Sequence, residues 1–120
     1  MKRNFICIGK DIVLPTLLAI TAEEQQTGLM YKEWPPPIMS FIYSYPSYNR
    51  FWMKNCPSPL DVVFSLDGII TEICKGEPHS TAMIGGNTPS NLIVELPFGS
   101  CVKLGVKEGD KISLLNPIKK

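Results

Sequence analysis

The chain has 120 residues, 44% apolar and 19% charged, with a formal net charge of +1. That length suits one domain burying roughly two-thirds of its unfolded surface, and that balance excludes a disordered chain. The near-neutral charge argues against nucleic acid as the primary partner, because phosphate binding needs a surplus of placed cations.

Lys2–Ile8 reads as a first strand from its aromatic and β-branched content, and Gly9-Lys10-Asp11 as a turn. Its apolar run is broken at Lys10 and Asp11, too soon for a secretory leader, so a cytoplasmic location is expected. Ile12–Ile20 reads as a second strand, too short to span a bilayer and placed at an edge or bulge by Pro15. No membrane association is expected.

Thr21-Ala22-Glu23-Glu24 is a capping box, predicting a helix from Ala22 to about Met30. Trp34-Pro35-Pro36-Pro37 ends it and forces extended chain. Strands are predicted at Ile38–Tyr43 and Arg50–Asn55, with a Tyr- and Pro-containing loop between them. Asp61–Leu66 and Ile69–Lys75 flank Asp67-Gly68, a dipeptide that supplies the positive φ angles of a type I′ turn, so a hairpin is predicted. Gly76–Asn91 is rich in turn residues and reads as the longest irregular segment. Asn91–Leu96 reads as a strand, Pro97–Leu104 as a short helix closed by Gly105, and Lys111–Leu115 as the last strand. The expectation is one mainly β domain over residues 1–120, an antiparallel sandwich or barrel-like fold with one or two short helices.

Gly28-Leu29-Met30, Phe51-Trp52-Met53-Lys54-Asn55 and Pro59-Leu60-Asp61 resemble the signature of the domain of unknown function 192 family. Val94-Glu95-Leu96-Pro97 with Gly99, and Gly105-Val106-Lys107 with Gly109-Asp110, agree with it. The resemblance runs from Leu18 to Leu115 and implies a compact, sandwich-like β fold. It implies no activity, because the family is uncharacterised. This chain departs from the family pattern at Lys32, usually Arg, at Ile38-Met39-Ser40-Phe41, which lacks the usual Gly, and at Cys56, usually Thr. It also lacks the cysteine pair that many members carry, and the exported leader of many members is not expected here.

On a strand, alternate side chains share a face, so Arg50, Trp52 and Lys54 would point one way. An aromatic ring between two cations makes a platform for a small polar ligand, carbohydrate among the candidates. The structural alternative has Trp52 in the core with Lys54 paired to a carboxylate. Asp61 is expected either to neutralise Lys54 across strands or to serve as an acid or base. Glu95, inside an apolar strand, needs a partner or an open face. Asp61 and Glu95 in one cleft would suit carboxylate-dependent hydrolysis.

Nearby Lys54 would lower the Cys56 thiol, but the favoured reading of Cys56 is an inert thiol, buried or exposed. His79 beside Ser80 lacks a nucleophile elbow and reads as a solvated loop residue. Gly85-Gly86-Asn87 lacks the Lys of a phosphate loop. Cys7, Cys56, Cys74 and Cys101 form no close pair with each other or with the single His, so no metal and no cofactor is expected. The function that follows is binding of a small polar ligand at Arg50, Trp52, Lys54, Asp61 and Glu95. A protein-interaction module, suggested by the apolar excess, Pro35-Pro36-Pro37 and the Tyr-rich loop, is its first rival, and the carboxylate hydrolase is the second.

Overall fold

The computed structural model describes residues 1–118. In chain order its elements are β1 (Lys2–Ile8), β2 (Ile12–Ala19), α1 (Ala22–Thr27), β3 (Met39–Ser47), β4 (Arg50–Phe51), β5 (Leu60–Leu66), β6 (Ile69–Gly76), β7 (Ile84–Gly85), β8 (Ser90–Pro97), α2 (Ser100–Leu104) and β9 (Ile112–Leu114). Seven strands form one sheet in the order β6-β5-β8-β3-β2-β1-β9, and β4 pairs with β7 apart from it. The mainly β architecture with two short helices is the one expected from sequence.

One pairing departs from the antiparallel expectation. β2 and β3 run parallel, Leu17 to Ala19 beside Met39 to Phe41. Parallel neighbours need a crossover rather than a hairpin, and the segment carrying α1 supplies it. α1 begins as predicted. The Glu24 amide donates to Thr21 Oγ1 and the Thr21 amide to Glu24 Oε1, each at 3.1 Å. The helix stops at Thr27 rather than Met30 because Gly28 takes a φ of 48°. A side chain there would also press on the Phe41 ring, 3.2 Å from the position of a Cβ.

The β5–β6 hairpin turns where predicted, with φ of 49° at Asp67 and 85° at Gly68. The Asn91 side chain braces it, accepting from the Asp67 amide and donating to the Asp67 carboxylate. This turn also reaches the far edge of the sheet. Ile69 bridges to Lys111, the Ile70 amide donates to Asp110 O, and the Ile112 amide donates to Gly68 O. These bonds join the β6 edge to the chain entering β9, so the sheet curls into a partly closed barrel.

Curling gives the sheet an inner and an outer face, each with its own core. The inner face buries Ile6, Ile8, Val63, Val94, Leu96 and Ile112. The outer face buries Met39, Phe41, Val62, Phe64 and Ile93 beneath Leu29, Met53 and Cys56. Period-two alternation along β8 sends Val94 and Leu96 inward and Ile93 and Glu95 outward.

The predicted strand Arg50–Asn55 is cut to Arg50–Phe51. Beyond Phe51 the backbone bonds to two loops instead of a neighbouring strand. The Met53 amide donates to Ser80 O, and Asn55 O accepts from the Tyr31 amide. Asn55 itself has a φ of 60°, incompatible with continued strand. Met53 is buried against Gly76, and the connector becomes a clamp over the outer face.

Candidate functional site

The outer face is not fully covered. Between α1, the β4 strand and the Trp52–Cys56 connector lies a pocket of about 210 Å³, lined among others by Gln25, Tyr43, Arg50, Trp52, Cys56 and Glu95. That is room for a small organic ligand.

Glu95 forms its floor. It stands mid-sheet, opposite Met39 on one side and Val62 on the other. Only 4% of it is exposed. Among the described residues it has no ion-pair partner and takes no side-chain hydrogen bond. Burial among apolar neighbours therefore pushes its carboxyl up to about 8. The effect spreads to the groups around it. Tyr43 is pushed up to about 12 and Cys56 to about 11, in each case by desolvation first and by the Glu95 charge second.

The walls are aromatic. Phe51 meets Phe41 edge-on at 4.8 Å and Phe64 edge-on at 5.9 Å, which locks the ring that backs the pocket. Trp52 stands at the mouth, 43% exposed, so it is not a core residue. Lys54 Nζ lies 5.2 Å from the Trp52 ring centroid, in cation–π range. Gln25 is fixed from behind. Its Nε2 donates to Ala19 O at 3.1 Å and to Ile42 O at 2.9 Å, bridging the ends of the parallel pair.

Of the residues singled out from sequence, Arg50, Trp52 and Glu95 line this pocket. Lys54 sits against Trp52 at its edge. The strand alternation used to group Arg50, Trp52 and Lys54 does not hold, because the strand ends at Phe51 and Phe51 lines the pocket too. Arg50 and Trp52 meet at the pocket through the turn of the connector, and Lys54 reaches only the Trp52 ring.

Asp61 is elsewhere. It pairs with Leu96 while Val62 pairs with Glu95, and a one-residue offset places the two carboxylates on opposite faces of the sheet. The acid–base pair required for hydrolysis is therefore not formed. Nor does Asp61 reach Lys54. Its Oδ2 accepts from the Gly99 amide at 3.2 Å and the Cys101 amide at 2.9 Å. Gly99 has no side chain to cap α2, and Asp61 does so from a neighbouring strand.

Cys56 is buried, and desolvation raises its thiol, which fits the inert thiol favoured from sequence and not activation by Lys54. His79 is an exposed loop residue with a φ of 61°, its amide donating to Cys56 O. Sequence reading missed Gln25, Gln26 and Met83 as lining residues. The available signal was only the character of a short helix and a loop, which says nothing of direction.

Fold and site together define a class: a small curled-sheet domain carrying a buried carboxyl in an aromatic pocket on its outer face. The chain belongs to the domain of unknown function 192 family, DUF192, described as an uncharacterized ACR, which matches residues 9–114. A Sinorhizobium meliloti protein provisionally described as a transcription regulator is similar at 30% identity, with 94% of each chain covered and a TM-score of 0.86. A Novosphingobium aromaticivorans protein of unknown function is similar at 28% identity, over 91% of this chain and 83% of that one, with a TM-score of 0.83. No curated protein matches the chain. No helix of the described residues is long and apolar enough to cross a membrane.

Proposed function

We propose that this domain binds a small polar ligand in the outer-face pocket, with Glu95 at its floor and Arg50 and Trp52 at its mouth. The observation that carries the reading is the Glu95 carboxyl, in a residue only 4% exposed, with no hydrogen-bond or ion-pair partner among the described residues and open to the pocket. A weakly solvated, unpartnered carboxyl lining a cleft is a recurrent feature of ligand sites. Half-exposed Trp52 offers a stacking surface for a sugar or another flat polar molecule. Asp61 falls outside this proposal, and Lys54 enters it through Trp52.

The test is an amide NMR titration of the wild type and Trp52→Ala with pooled sugars, nucleotides and small acids. Saturable shifts clustered at Tyr43, Arg50–Cys56 and Glu95, weakened at least tenfold in the folded variant, are the expected result. Shifts confined to other surfaces would overturn it.

A protein-interaction role has one observation in its favour. A groove of about 660 Å³ runs beside β1 and β2, lined by Phe5, Pro15, Leu17 and Ile38. Light scattering of the purified domain, alone and with candidate partners, addresses that reading. The regulator description of the Sinorhizobium protein finds no support in this chain's charge of +1.

A further inference from the structure

The pocket's polar atoms are unequal in kind. Both N–H groups of Gln25 are spent on backbone carbonyls, which leaves only its carbonyl oxygen free. The nearby backbone amides are spent too, with Gly28 donating to Glu24 O, Met30 to Thr27 O and Cys56 to Met53 O. Glu95 contributes two oxygens that no described side chain or amide satisfies. The lining also carries donors in Gln26, Tyr43, Arg50, Trp52 and Cys56, but the unsatisfied acceptors are Glu95 and the Gln25 carbonyl, and an occupant that brings donors meets them. Aromatic side chains of Phe41, Tyr43, Phe51 and Trp52 surround that floor, and aromatic faces attract cations.

We propose that the pocket takes a small primary amine, its ammonium group seated on the Glu95 carboxylate and enclosed by aromatic rings. This rests on the ligand-binding reading above and names its ligand class. An ammonium supplies three donors and one positive charge, which match the Glu95 carboxylate and the Gln25 carbonyl. In the free domain at neutral pH Glu95 holds its proton, so binding releases one proton to solvent as the ion pair forms.

The titratable groups facing Glu95 have been named: Tyr43 from β3, Cys56 from the connector and Arg50 from β4, while α1 presents only neutral Gln25 and Gln26. Tyr43 and Cys56 stay neutral well above pH 9. Arg50 is exposed at the mouth. Glu95 alone among them changes charge between pH 6 and 9.

The experiment titrates n-butylammonium, its neutral isostere 1-butanol, and glucose into the wild type and Glu95→Gln, followed by amide NMR from pH 6 to 9. An alkylammonium stays charged to about pH 10. The expected result is saturable pocket shifts with n-butylammonium, an affinity rising up to tenfold per pH unit and levelling near pH 8, and at least tenfold weaker binding to the variant. The Glu95 carboxyl ¹³C titration, read on the wild type alone, should move its midpoint to lower pH when the amine is present. Equal binding of amine and butanol, or an unmoved midpoint, would overturn the amine assignment. Pocket shifts with glucose and none with the amine would overturn it while leaving the ligand site intact. No shift with any probe or pool would overturn both.

Discussion

Glu95 is the residue on which most of the site's chemistry turns. Its carboxyl titrates at about 8 in the folded chain against 4.5 as an ordinary glutamate. Between those values the folded state holds a proton that the unfolded state has lost, so stability falls as pH rises. The contribution is complete below pH 4.5 and gone above pH 8. The neighbouring Tyr43 and Cys56 add nothing in this window, since both titrate higher. Urea denaturation at pH 5, 7 and 9 should show the wild type losing stability by on the order of a few kcal/mol. Glu95→Gln, which carries no proton to lose, should show a flatter profile and exceed the wild type at pH 9. A wild-type profile as flat as the variant's would mean that Glu95 is better solvated or better paired than its surroundings indicate.

At the scale of elements, the two carboxylates that look alike in sequence do different work. Asp61 sits on the inner face and caps α2 through two backbone amides, one of them buried. Removing it leaves those amides without an acceptor, which costs about 1–3 kcal/mol. Asp61→Ala should therefore lower the unfolding free energy in urea by that amount and speed hydrogen exchange at Gly99 and Cys101. Ligand titrations at the outer-face pocket should be unchanged, because the sheet lies between. Loss of ligand binding in this variant, with the fold intact, would join Asp61 to the site after all. The same element logic explains the connector. Trp52–Cys56 exchanges strand pairing for bonds to the Tyr31 and Ser80 loops, and thereby holds Trp52 over the pocket rather than in a sheet.

For the whole molecule, the closing seam matters most. β9 has three residues, and Ile112 is buried in the inner core where the two edges of the sheet meet. Cutting Ile112 back to Ala removes that packing at the seam and should cost about 2–5 kcal/mol. Val102, on the outer side of α2, is 90% exposed, and Val102→Ser should change stability by no more than about 0.5 kcal/mol. Urea melts of the two variants check this. Comparable losses in both would mean that α2, not the seam, organises the inner core.

The chain's own residues determined what local physics can decide. Asp67-Gly68 specified the hairpin because few dipeptides accept two consecutive positive φ angles. Thr21 and Glu24 specified the start of α1 because a capping box is satisfied within four residues. Alternation in Leu92–Leu96 put Glu95 beside Ile93 on one face. The family signature, too, was legible over most of the chain. Only the tertiary structure decided the rest. The parallel β2–β3 pair depends on where a crossover lands, which no local signal encodes. The connector's departure from strand depends on loops more than 20 positions away. Asp61 and Glu95 were split by pairing register, a property of two strands together rather than of either alone. The pocket itself is the gap left where α1 and the connector fail to meet over the sheet, and its outline follows from packing between elements distant in sequence.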